Sequence, residues 1–222
     1  MEPDSSEFRR DVDPIVIRRR AAAVAGHTGD VMVARSLLDD EAPTVRATAL
    51  GALHRIGALD RSELLDALHD RSPVVLRRAC AVSTTWGGSV GDPPDPVVAD
   101  AVAQLLDHDD DTVVETAAWA CGERPPASER VVTRLCDIGT GHRDSLCREA
   151  AIAALGALGD PDGLGAILVA TGDRATVRRR AVLALAAHEG PEVEAAIERA
   201  LGDRDWQVRQ AAEDLREPQA DR

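Results

Sequence analysis

The apolar residues of this chain recur with the spacing of a helix and not of a strand. Val45, Ala49, Ala52, Leu53 and Ile56 fall at offsets 0, 4, 7, 8 and 11, which at about 100° per residue share one helical face. Cys147, Ala151, Ala154, Leu155 and Leu158 repeat that frame. Its leading position falls at Ile17, Val45, Val75, Val114, Cys147, Val177 and Val208, with intervals of 28, 30, 39, 33, 30 and 31 residues. A shorter helical pattern precedes most copies and ends in a Leu-Leu-Asp-like turn, as at 36–39, 67–70, 104–107 and 134–137. No segment alternates with period two over the length of a strand, so no sheet is expected. Each unit is a hairpin of two amphipathic helices, which hides its apolar faces only by stacking on its neighbours. The pattern predicts an all-α solenoid of about six to seven hairpins over residues 12–216. A tail or partial first helix occupies 1–11, and a short tail occupies 217–222.

Punctuation residues support these boundaries. Pro43 and Pro73 stand where a second helix should begin and where a missing N–H costs nothing. Asp40, Asp70, Asp109 and Asp173 are placed to cap its free amides. Gly57, Gly87 and Gly159 fall where the helix should stop. The long interval of 39 comes from residues 87–96, whose Gly and Pro density predicts a loop, and 122–126 make a second break.

Charge and composition narrow the function. The 39 acidic and 26 basic residues leave a net charge of −13, which opposes nucleic-acid binding because that rests on phosphate neutralisation. Every one of the basic residues is Arg, and only Phe8, Trp86, Trp119 and Trp206 are aromatic, so the core must be small and aliphatic. The acidic start lacks the pattern of an export signal, and no stretch is long enough to cross a bilayer. Four cysteines without a C-x-x-C pair fit a reducing cytoplasm. In the repeat frame Cys80, Cys121, Cys136 and Cys147 all take core positions, and the spacing of Cys136, His142 and Cys147 matches no usual zinc site. Trp86 replaces Ile56 and Trp119 replaces Leu50, which predicts core packing for both; Trp206 also reads as packing. The acidic run 107–111 reads as capping and solvation. No phosphate loop, nucleophile elbow or metalloprotease helix occurs, so no catalytic residue, metal or cofactor is expected.

The frame leaves one row unexplained. Offset 2 points away from the buried face and reads Arg19, Ala47, Arg77, Thr116, Glu149, Arg179 and Gln210, with Arg20, Arg78 and Arg180 each following an Arg. Beside it, offset 6 is small at Ala23, Gly51, Ala81, Ala120 and Ala153. Guanidinium pairs over a floor of small residues suit carboxylates or phosphates, which Arg can grip bidentately.

Residues 203–212 (Asp-Arg-Asp-Trp-Gln-Val-Arg-Gln-Ala-Ala) and 41–46 (Glu-Ala-Pro-Thr-Val-Arg) resemble HEAT repeats, in the short form also found in phycobilisome lyases. The resemblance implies a right-handed superhelix whose second helices line a concave side. It also implies an Arg–Asp ladder between units, carried here by Arg18, Arg46, Arg148, Arg178 and Arg209 and failing at Leu76 and Glu115. Such arrays serve mainly as protein-binding scaffolds. The expectation is therefore a cytoplasmic scaffold that receives an acidic or helical segment of a protein partner on Arg19, Arg20, Arg77, Arg78, Arg179 and Arg180. Three other roles on this fold fit less well or lack a supporting residue. Deoxyhypusine hydroxylases need several His-Glu pairs for a di-iron centre, whereas this chain has only His188-Glu189. Alkylpurine DNA glycosylases need a basic groove, and a bilin-lyase-like subunit would act with a partner chain on a chromophore protein.

Overall fold

The computed structural model describes residues 13–88 and 93–216; the tails at 1–11 and 217–222, and residues 89–92 of the expected loop, lie outside the described residues. Thirteen α-helices and no strand occur among the described residues. The chain divides into two compact units, Met1–Ala79 and Cys80–Arg222.

In the first unit α1 (Pro14–Thr28) packs beside α3 (Pro43–Ile56), with α2 (Val31–Ser36) against both. Then follow α4 (Arg61–Leu68) and the start of α5 (Pro73–Ser83). The second unit holds α6 (Pro96–Gln104), α7 (Asp111–Glu123), α8 (Glu129–Gly141), α9 (Ser145–Leu158), α10 (Leu164–Ala170), α11 (Ala175–Ala184), α12 (Pro191–Leu201) and α13 (Trp206–Arg216). There α7, α9, α11 and α13 pack in succession, and the even-numbered helices cover their other side. The odd-numbered helices are the longer repeat helices of the sequence pattern. Their apolar stripes form an aliphatic core, as at Val45, Ala49, Leu50 and Leu53 in α3 and Cys147, Ala151, Ile152 and Leu155 in α9, all fully buried. Pro43 and Pro73 open their helices as expected, and Gly57 and Gly159 close theirs at φ +77° and +62°, a conformation that costs other residues a steric penalty.

Asp110 caps α7 and Asp144 caps α9, but Asp40 and Asp70, expected as caps, do something else. Asp40, Asp70 and Asp203 each accept the amide two residues on, from Ala42, Ser72 and Asp205, and so brace the loop. Each also receives an Arg from the preceding repeat. Arg46 grips Asp70 with Nε and Nη2, both at 2.8 Å, while its Nη1 donates to the Asp40 carbonyl at 2.8 Å. Arg178 repeats this on Asp203 at 2.8 and 2.7 Å, with Nη1 on the Asp173 carbonyl at 2.7 Å. Arg18–Asp40 and Arg148–Asp173 close at 2.6 Å. Arg209 reaches the Asp203 carbonyl at 2.7 Å. The expected ladder is present for Arg18, Arg46, Arg148 and Arg178, each of which reaches forward to the Asp of the next repeat, while Arg209 makes only its carbonyl bond.

Its gaps are in register too. Val113, not Val114, leads α7: it is the third helical residue after the cap Asp110, as Cys147 is after Asp144. The ladder position of α7 is therefore Val114 and not Glu115, and that of α5 is Leu76. Where the next repeat would supply the partner Asp, it supplies His108 and His142 instead. Their Nδ1 atoms accept the same loop amide, from Asp110 at 2.9 Å and Asp144 at 3.1 Å. Removing the Arg would strand a carboxylate, and at both sites a histidine takes its place.

The hydrogen bonds from Arg18, Arg148 and Arg178 hold Asp40, Asp173 and Asp203 below the usual carboxylate range. Burial pushes Asp70 up, but its bonds from Arg46 and Ser72 more than offset this. A carboxylate whose folded pKa is depressed contributes stability that is present above its unfolded pKa and lost as pH falls through the folded one. In an acid titration followed by helical circular dichroism, stability should begin to fall near pH 4 and continue downward. Asp203→Asn should flatten that fall, and an unchanged slope would contradict the pairing.

Candidate functional site

The odd-numbered helices carry the exposed chemistry. In the first unit Arg19, Arg20, Arg77 and Arg78 are exposed and pair with no described residue, and Arg78 lies over Gly51, with its Cδ 3.7 Å from where a Cβ would stand. In the second unit Arg179 is exposed, while Arg180 is half-buried with its Nη2 3.5 Å from Glu149 Oε1. Five of the six expected guanidiniums are thus open to a ligand, and the sixth is engaged by a neighbouring helix. The row is not uniformly outward, because Ala47 is buried.

The one-residue slip in α7 moves Trp119 out of the core frame. It stands in line with Gly51 and Ala153, in the row expected to be small, and is 40% exposed instead of filling the place of Leu50. Trp206, at the first position of α13, is 65% exposed, also contrary to the expected packing, while Trp86 is half-buried. Trp119 stands in a groove of about 650 Å³ formed by α7, α9 and the Arg180 side chain. Along α7 the groove shows Glu115, Trp119 and Glu123; along α9 it shows Glu149, Ala153 and Ala157. Each set is spaced i, i+4, i+8, so each forms one stripe about 12 Å long. The α7 wall carries an indole between two carboxylates, and beside its stripe the α9 wall adds Ala150 and the exposed Leu146. Glu115 and Glu123 are in no ion pair among the described residues, and Glu149 has only the long contact with Arg180.

Elsewhere the chemistry is muted. A second cavity, of about 260 Å³, lies between α6, α7 and the 124–128 segment, with Cys121 and Val131 in its lining. Burial pushes the Cys80, Cys121 and Cys147 thiols up to about 12, so they are poor nucleophiles at neutral pH. Cys147 donates to the Asp111 carbonyl at 3.1 Å and Cys136 to the Asp162 carbonyl at 3.8 Å, which aims the two sulfurs at different atoms. Among the described residues no group of three or more His, Cys, Asp or Glu is arranged to hold a metal, and no helix is long and apolar enough to cross a membrane.

Stacked helical hairpins joined by an Arg–Asp ladder define an all-α helical-repeat fold. The family model described as HEAT repeats matches residues 62–156. A designed armadillo repeat protein in complex with the peptide (KR)4 shares the fold at 14% identity and a TM-score of 0.53, over 91% of this chain and 98% of that one. An engineered protein is similar at 18% identity and a TM-score of 0.52, over 92% of this chain and 97% of that one. Human deoxyhypusine hydroxylase in complex with glycerol aligns at 22% identity and a TM-score of 0.47, over 92% of this chain and 80% of that one. No curated protein sequence matches the chain.

Proposed function

We propose that this protein is a scaffold that binds a protein partner along the exposed faces of its odd-numbered helices. The observation that carries this reading is the exposed Trp119 standing in a groove on that face. A 40% exposed indole in a chain with only three tryptophans is poorly explained by folding, and aromatic anchors dominate protein interfaces. Within the first unit, the unpaired Arg19, Arg20, Arg77 and Arg78 give the exposed sides of its own odd-numbered helices groups that suit carboxylates. The fold accommodates such a role, since the designed armadillo repeat protein is in complex with a peptide.

A photo-crosslinking amino acid placed at Arg77, Trp119 or Arg179 should give protein adducts in a lysate of the source cells. One placed at Met32 or Val169, which are exposed on even-numbered helices, should not. Adducts from the even-helix positions alone, or from none, would contradict the reading.

A further inference from the structure

The α7–α9 groove is acidic, whereas the partner expected from the Arg rows is acidic as well. Three carboxylates line it, from Glu115, Glu123 and Glu149, against the single guanidinium of Arg180. An apolar occupant would bury the free carboxylates without compensation, which is costly. An acidic segment would meet like charge, and so would a second copy of this chain, with its net charge of −13. A cation answers every feature of the site. The indole of Trp119 offers a face for an ammonium or guanidinium, Glu115 and Glu123 stand one turn away on either side for charge-assisted hydrogen bonds, and Leu146, Ala150, Ala153 and Ala157 on the opposite wall suit the aliphatic stem of a Lys or Arg.

We infer that the groove between α7 and α9 binds a basic peptide segment of the partner, seating a Lys or Arg side chain on Trp119 between Glu115 and Glu123. This rests on the partner-binding reading above and gives its second-unit contact a chemistry opposite to that of Arg19, Arg20, Arg77 and Arg78. Arg180 belongs to the site by closing on Glu149 from the next odd-numbered helix, which leaves the two α7 carboxylates for the ligand.

The test is fluorescence anisotropy of the full chain with a fluorescein-labelled octapeptide (Lys-Arg)4, and with (Asp-Glu)4 as the opposite charge. The basic peptide should bind and the acidic one should not, with affinity falling as salt rises. Trp119→Ala should weaken binding about tenfold, Trp119→Phe by less, and Met32→Ala not at all. The pair Glu115→Gln and Glu123→Gln should weaken binding and reduce its salt dependence, because it removes charge without removing the indole. Equal binding of both peptides, or basic-peptide binding indifferent to Trp119→Ala and to the Glu→Gln pair, overturns the inference. If that result comes with odd-helix crosslinks intact, the scaffold reading survives and only the groove's chemistry is wrong. If neither peptide binds and the crosslinks are also absent, both fail.

Discussion

Gly156→Ala is expected to destabilise the second unit by about 2 kcal/mol, although alanine is the better helix former by about 1 kcal/mol. A Cβ at position 156 would lie 2.6 Å from Ala184 Cβ and 2.7 Å from Ala184 Cα. Part of that obstacle is backbone, so α9 and α11 must separate to admit the methyl group. The same approach occurs at Gly122 with Ala154 Cα, at 2.7 Å, and at Gly26 with Ala52 Cα, at 2.9 Å. In each case a glycine nine positions past the leading residue of one repeat meets an alanine seven positions past that of the next. Gly165, in α10, has nothing within 4 Å of its Cβ position, so Gly165→Ala should stabilise by about 0.5–1 kcal/mol. Thermal melts of the two variants must therefore move in opposite directions. If Gly156→Ala raised the melting temperature as Gly165→Ala does, the close packing of α9 on α11 would be wrong.

The largest loss is expected on the ladder. Arg178 is only 6% exposed and is held by both Asp203 oxygens and the Asp173 carbonyl. Asp203→Leu removes its counter-charge while leaving the guanidinium in place, at a cost of about 3 kcal/mol. Arg178→Met should cost somewhat less, because the Asp203 side chain keeps the amide of Asp205. The double variant Arg178→Met/Asp203→Leu should recover much of the loss, since an apolar pair strands no charge. Urea unfolding of all four proteins closes a double-mutant cycle. Additive losses would mean that the two residues do not act as a pair.

The architecture was readable because stacked hairpins repeat their burial pattern and every copy is a fresh sample of it. The ladder was readable for the same reason, except at α7. There Val113 and Val114 are both apolar, and Asp109, Asp110 and Asp111 are all plausible caps, so the frame could sit on either valine. With the frame on Val114, Trp119 falls in the core and Glu115 becomes the ladder gap. Spacing of Gly122 against Gly26 and Gly156 would have settled it: each lies nine residues past a leading position only if α7 begins at Val113. A glycine near a helix end reads equally as a stop, which masks its role as a contact. Ile17 misled differently. It occupies the leading position of α1 yet is 55% exposed, because among the described residues no helix covers that flank. Composition could not reveal the acidic groove, which depends on Glu115, Trp119 and Glu123 from one helix facing Glu149, Ala153 and Ala157 from another.

The most direct measurement uses the three tryptophans as separate reporters. In a ¹⁵N–¹H correlation spectrum the indole groups of Trp86, Trp119 and Trp206 give one resonance each. On titration with the (Lys-Arg)4 peptide, the Trp119 indole should shift progressively to saturation while Trp206, the more exposed of the two, stays in place. A Trp206 shift with Trp119 unmoved would place the basic ligand elsewhere and contradict the account.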